Sequence, residues 1–167
     1  MKVKQRFVPG FVHQIKRRRG HLLLIVVLIL SAVLNLAGIT WGLPHYLDWG
    51  IDSVAPFKVL KAVSYRFSNG WFDAYPPLHL ALLAVFYAPY LGYLMVSGGL
   101  TEPSQVFPFG LADPLSTLTH LILISRVVSA LMGVAVVFLT YLVVQNLFDR
   151  RSAFFSSLTV ALYHPFI

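Results

Sequence analysis

The sequence predicts an all-α fold: a polytopic transmembrane protein of about four spans, with an amphipathic surface helix in its first extracytoplasmic loop. Three observations carry this. Apolar residues make up 57% of the chain and charged residues 11%, with a mean hydropathy of +0.74. A soluble domain carries about a quarter charged residues, so water is a poor match for this surface and lipid a good one. Apolar runs of bilayer length recur along the chain. Seven of the thirteen Lys and Arg fall in the first nineteen residues, against the first of these runs.

That basic tail, residues 1–20, holds Lys2, Lys4, Arg6, Lys16, Arg17, Arg18 and Arg19. A basic stretch beside a hydrophobic segment reads as a topology signal and places the N-terminus in the cytoplasm. Nothing else in the chain points to nucleic acid. The first span, 21–40, carries no charge and matches a hydrocarbon core of about 30 Å. It is too long for a cleaved signal peptide, and Asn35-Leu36-Ala37-Gly38 is a poor cleavage site. Trp41 suits the far interface.

Residues 41–76 then form an extracytoplasmic loop. Within it, residues 54–68 read as a short amphipathic helix of roughly 22 Å. Phe57, Leu60, Val63 and Phe67 share one face, with Lys58, Lys61 and Arg66 on the others. Such a helix lies along a membrane surface or packs on protein as an ordinary loop helix; Asn69-Gly70 ends it.

The Pro76-Pro77 pair opens a second span over 77–97, closed by Ser97-Gly98-Gly99. Residues 100–118, with Pro103, Pro108, Gly110 and Pro114, read as a loop with a re-entrant character. A third span covers 118–147 and contains Arg126. Phe148 to Arg151 make a turn, and a fourth apolar segment, 152–167, runs to the end of the chain. The chain is therefore expected to be a piece of a longer protein. Strict alternation puts Asp149-Arg150-Arg151 outside, against the positive-inside tendency; a separate crossing by residues 104–125 puts the turn inside.

Chemistry is sparse. No Cys is present, which removes disulfides and thiolate metal sites. No H-x-x-x-H spacing, Gly-rich phosphate loop or G-x-S-x-G elbow occurs, so soluble nucleotide chemistry has no support. Of six acidic residues, Asp48, Asp52 and Asp73 lie in the 41–76 loop. Asp48 and Asp52 are either water-facing loop acids or a general base or metal-binding carboxylate held at the bilayer surface, where a low dielectric raises a carboxylate's pKa. Residue chemistry leaves the two equal. Asp73 caps the second span, neutralises Arg66 or serves a substrate. His79, one turn into that span, is a functional group or a neutral partner for another helix. Arg126 snorkels to the cytoplasmic end of its span or meets an anion.

The order of these features, with "YPPLHLALLAVFY" and "SRVVSALMGVAVVFLTYLVVQNLFDRRSAFFSSLTVALYHPFI", resembles the N-terminal portion of the C-type glycosyltransferase superfamily (GT-C). The branch it looks most like is the bacterial protein-mannosyltransferase and aminoarabinose-transferase-like one. The likeness covers nearly all of the chain from residue 21, and its most specific elements are "YPPL" and R-x-x-S-A-L-x-G. It implies a polyprenyl-phosphate-linked sugar as donor and further spans, often with a soluble C-terminal domain. It also implies an essential acid in the first extracytoplasmic loop, which ranks Asp52 first as catalytic base. Ser53 stands where the family commonly has a second acid. That puts coordination of a divalent metal by an acidic pair in doubt and leaves Asp48 as the second acid. Lys58, Lys61 or Arg66 would meet the charge on the leaving phosphate, and Asp73 and His79 would line the substrate site. The piece is expected to be inactive by itself.

Two other function classes fit the residues. A transporter or flippase-like protein would work through polar groups within its spans, such as Asn35, His79 and Arg126. A non-catalytic membrane subunit would use the acidic loop as a partner contact only.

Overall fold

A computed structural model of the chain describes residues 9–44, 56–65, 77–104 and 106–163. Every element among them is helical: α1 (Pro9–Leu36), α2 (Pro56–Ser64), α3 (Pro77–Ser97), α4 (Pro114–Leu147) and α5 (Arg150–Leu162). Two of these are long and apolar enough to cross a membrane, α3 over Leu78–Ser97 and α4 over its full 34 residues. Only 22% of each apolar window is buried. A core helix of a water-soluble protein buries most of such a surface, whereas these helices present theirs outward.

The ends of the helices follow local chemistry. Pro77 and Pro114 occupy first helical positions, where the missing N–H costs nothing. The Asp113 carboxylate accepts from the Ser116 amide at 3.1 Å, so α4 begins four residues earlier than the expected span. Asp149 caps α5 in the same way, accepting from the Ser152 amide at 3.0 Å. Helix α1 ends at Leu36, short of residue 40, because Gly38 takes a left-handed conformation (φ 77°) that helices commonly use to stop. At its other end α1 starts at Pro9, so Lys16–Arg19 of the basic stretch lie in helical turns. Lys and Arg are good helix formers.

The chain divides into two compact units. In the first, α1 packs with α5 and with residues 130–147 of α4. Their buried faces are built on a four-residue repeat: Val27, Ser31 and Asn35 on α1, and Ala153, Ser157 and Ala161 on α5. Small residues at this spacing let helix backbones approach closely, the usual seam between helices that lack a hydrophobic drive in lipid. Val27, Val137 and Ala161 form the apolar centre, with Leu28, Phe154 and Leu158 around it.

Within this unit α4 runs antiparallel to α1, since Gly133 lies against Asn35 and Val137 packs with Val27. The stretch from Gly133 to Leu147 is about 21 Å long at the helical rise. The same distance back along α1 from Asn35 reaches residue 21. The turn at 148–151 therefore stands at the end of the unit where the helix carries Arg17–Arg19.

The second unit holds the elements between Gly38 and Ser129. Its core joins Val59 of α2, Leu80, Leu83, Tyr87 and Leu94 of α3, Leu118, Leu121 and Val128 of α4, and Phe109 and Leu111 from the α3–α4 connection. Residues 98–104 and 106–113 are tied together by backbone pairing. Leu100 and Leu111 form an antiparallel bridge, flanked by bonds from Ala112 to Gly99 at 2.9 Å and from Thr101 to Gly110 at 3.2 Å. The pairing needs a glycine at 110, where a Cβ would collide with the Glu102 carbonyl.

Within the expected 54–68, the described helix α2 runs Pro56–Ser64. Val59 and Ala62 are fully buried and Leu60 is partly so, while Val63 is exposed. It packs against α3, as an ordinary loop helix does. The side chain of Phe57, and the whole of Phe67, lie outside the described residues.

Candidate functional site

The residues of interest converge on the second unit, where the chain leaves α1 and enters α2 and α3. Two turns follow α1: the Trp41 amide donates to the Gly38 carbonyl at 2.7 Å and the Leu43 amide to the Thr40 carbonyl at 3.1 Å. These turns point their remaining carbonyls at α4. Arg126 donates through one guanidinium nitrogen to the Ile39 carbonyl at 2.6 Å and the Trp41 carbonyl at 2.9 Å. An arginine on an apolar helix is thus matched by main-chain oxygens. Among the described residues no carboxylate meets it. The bonds fasten the root of the 41–76 segment to α4.

Lys58 lies on α2, next to the fully buried Val59. His79 lies in the first turn of α3, half-buried, next to the buried Leu80. Val59, Leu80 and Val128 belong to one apolar cluster, so α2, the start of α3 and the Arg126 region of α4 are parts of a single packed body. Lys61 is exposed in the last turn of α2, where its carbonyl accepts from the Ser64 hydroxyl at 2.7 Å. The remaining expected site residues, Asp48, Asp52, Arg66 and Asp73, lie outside the described residues, as does any contact they make.

The carboxylates that are described have ordinary duties. Asp113 and Asp149 are the helix caps above. The Ser152 side chain and amide hold the Asp149 carboxyl below the usual carboxylate range. Glu102 is exposed on the α3–α4 connection. The other three acids, Asp48, Asp52 and Asp73, fall in 45–55 and 66–76, outside the described residues. Those two stretches bracket α2. Among the described residues no three His, Asp or Glu side chains are grouped so as to hold a metal ion, and no step is derived through one.

Two buried polar groups were invisible to residue-type reasoning. The Asn35 side-chain amide donates to the Ser31 carbonyl at 2.7 Å and its hydroxyl at 3.3 Å, leaving Asn35 Oδ1 buried with no partner. The Tyr87 hydroxyl is likewise buried, close to the Ser125 side chain but in hydrogen-bond geometry with no partner among the described residues. His120, on α4, contacts the Ser116 carbonyl through Nδ1 at 2.8 Å and tilts against the Tyr90 ring at 5.6 Å. Only the mid-helix polar placement of Asn35 was a sequence signal for any of these.

Comparison of the chain with family profiles, curated proteins and solved structures finds no match in any of the three.

Proposed function

We propose that the chain is part of a multi-pass membrane glycosyltransferase of the GT-C type. It moves a sugar from a polyprenyl-phosphate-linked donor to an acceptor at the extracytoplasmic face. The observation that carries the reading is the disposition of the acids. Asp113 and Asp149 are occupied as caps, while Asp48, Asp52 and Asp73 flank α2, a helix packed on a bilayer-length helix. The basic turns of α1 and the Arg150-Arg151 turn share one end of their unit, so the positive-inside tendency assigns that end to the cytoplasm.

In this reading Asp52 takes the proton from an acceptor hydroxyl or amine as the acceptor attacks the sugar's anomeric carbon. The bond from that carbon to the lipid phosphate oxygen breaks, and the phosphate leaves with the electron pair. Lys58 or Arg66 offsets its charge. The donor's tail lies in lipid, so the reaction is confined to the membrane surface. Arg126 holds the loop root at a fixed place on α4.

The test is Asp52→Asn in the complete protein. Sugar transfer should fall about 10²- to 10⁴-fold, the usual value of a positioned base, with membrane insertion unchanged. Full transfer by that variant sinks the assignment.

The transporter reading has one specific observation in its favour, the unpaired Asn35 Oδ1 buried among helices. It predicts that Asn35→Ala stops substrate movement while Asp52→Asn leaves it intact.

A further inference from the structure

We infer that Lys16–Arg19 of α1 and the Arg150-Arg151 pair of α5 form one anion-binding surface, and that it takes the headgroups of acidic phospholipids.

Helices α4 and α5 are joined by Phe148 and Asp149 alone. Val137, ten residues before the end of α4, and Ala161, eleven residues after the start of α5, meet in one apolar cluster with Val27 of α1. The second half of α4 and α5 therefore fold back on each other as a hairpin. Its tip lies about 16 Å along the helices from that cluster. The same distance back along α1 from Val27 reaches residue 16, and the Asn35–Gly133 contact brings the tip level with residue 21. Both place Arg150 and Arg151 at the level of Lys16–Arg19, although α2 and α3 come between them in the chain.

Consecutive helical positions step by about 100°, so the basic positions 16–19 go round most of the α1 circumference. Arg150 and Arg151 are exposed. Six cationic residues thus share one level. Asp149 is the only acid in the sequence of this unit, and its carboxylate caps α5 by accepting from the Ser152 amide. Like charges brought together oppose the packing that gathers them. An anion that relieves them has to come from outside the unit.

The occupant follows from what adjoins the charges. Leu147 and Phe148, next to Arg150 in the chain, are 70% and 74% exposed. Leu22, Leu23, Ile25 and Val26 are exposed where α1 continues from the basic turns. No Lys, Arg, Asp or Glu occurs in residues 20–36 or 130–148. A free inorganic anion or a nucleic acid would leave this apolar rim facing water. An acidic phospholipid offers phosphate to the cations and acyl chains to the rim in one molecule. Basic clusters at the cytoplasmic end of a span recognise lipid in this way.

The inference rests on the membrane reading above and adds a choice of lipid to it. Since the sequence has no cysteine, Phe148→Cys can carry a thiol-reactive dye, with Val33→Cys, exposed toward the other end of α1, as the reference. Each labelled full chain is reconstituted in vesicles of phosphatidylcholine and phosphatidylglycerol in equal parts, with bromine on the acyl chains of one lipid or of the other. At 148, brominated phosphatidylglycerol should quench as if concentrated roughly fivefold or more over phosphatidylcholine, since one cation near an anionic surface already gives about that factor. At 33 the two lipids should quench alike. Arg150→Gln with Arg151→Gln should remove most of the preference at 148.

A preference untouched by that double substitution overturns the shared surface, because α1 alone then makes it. Equal quenching at 148 by both lipids ends the inference and leaves the membrane reading intact. Loss of the preference to millimolar inorganic phosphate at constant ionic strength makes the ligand a free anion and also overturns it. So does a dye at 148 that neither lipid reaches while 33 is quenched. If neither lipid reaches either position, both readings fall together.

Discussion

Asn35 presents its side-chain oxygen to Gly133 so closely that a Cβ on residue 133 would stand 2.8 Å from it. Asn35 cannot swing away at no cost, because its amide is bonded to the Ser31 carbonyl. Overpacking of this kind costs about 1–3 kcal/mol, and Gly133→Ala should lose that much in a denaturant titration in detergent micelles. Asn35→Ala removes the obstacle. The double variant should then be more stable than the sum of the two single losses implies, by about 0.5–3 kcal/mol. Simple additivity would show that the two residues are not in contact.

Arg126 provides a second measurable link. Arg126→Met removes both bonds to the Ile39 and Trp41 carbonyls, and hydrogen bonds to a charged group contribute about 1.5–3 kcal/mol. The variant should melt earlier, and the 38–55 stretch should be cut faster by an added protease. Arg126→Lys retains charge but has no planar fork to serve two carbonyls, so it should fall between. Unchanged cleavage in Arg126→Met would show that the arginine does not secure the loop root.

The small-residue seam makes the third prediction. Ser157 is fully buried and its hydroxyl bonds only to its own helix, at the Phe154 carbonyl. Ser157→Ala should therefore change stability by about 1 kcal/mol or less, while Ser157→Leu should cost about 1–3 kcal/mol through overpacking. Equal effects of the two, read by SDS titration, would mean that close approach is not what holds α1 to α5.

Asp149 supplies a pH dependence with a definite sign. Its bonds to Ser152 lower the carboxyl below the ordinary value of 3.8. A depressed carboxylate contributes its cap above the ordinary value and loses it as pH falls through the folded one. Exchange of the Ser152 amide should therefore be slow near neutral pH and lose protection only at pH below 3.8. Asp149→Asn keeps the cap and should show no such acid loss. An amide that loses protection in acid to the same extent in both proteins would rule out the carboxylate as its cause.

Legibility differed between elements for physical reasons. Helix α3 was readable because proline at its first turn and Ser97-Gly98 at its end are local signals that tertiary contacts reinforce. The start of α4 was equally written, as Asp113-Pro114, yet the surrounding prolines and glycine gave it the look of a loop. Helix α2 buries Val59 and Ala62 against the core while Val63 is exposed, a choice of face that the several apolar residues of the helix leave open until α3 is in place. The Arg126 contact was not readable at all, since its partners are main-chain carbonyls that any residue carries. The acids proposed for catalysis, Asp48, Asp52 and Asp73, lie outside the described residues.

The seam between α1 and α5 also sets an order of events during synthesis. Ser31 and Ser157, both fully buried, belong to α1 and α5, which leave the ribosome far apart in time. At about 5–20 residues per second, the ribosome needs on the order of ten seconds to travel from one to the other. Throughout that interval the polar stripe of α1 has no α5 to cover it, and it must wait against lipid or a helper in the insertion machinery. A nascent chain arrested before α5 should therefore be the form that quality control recognises.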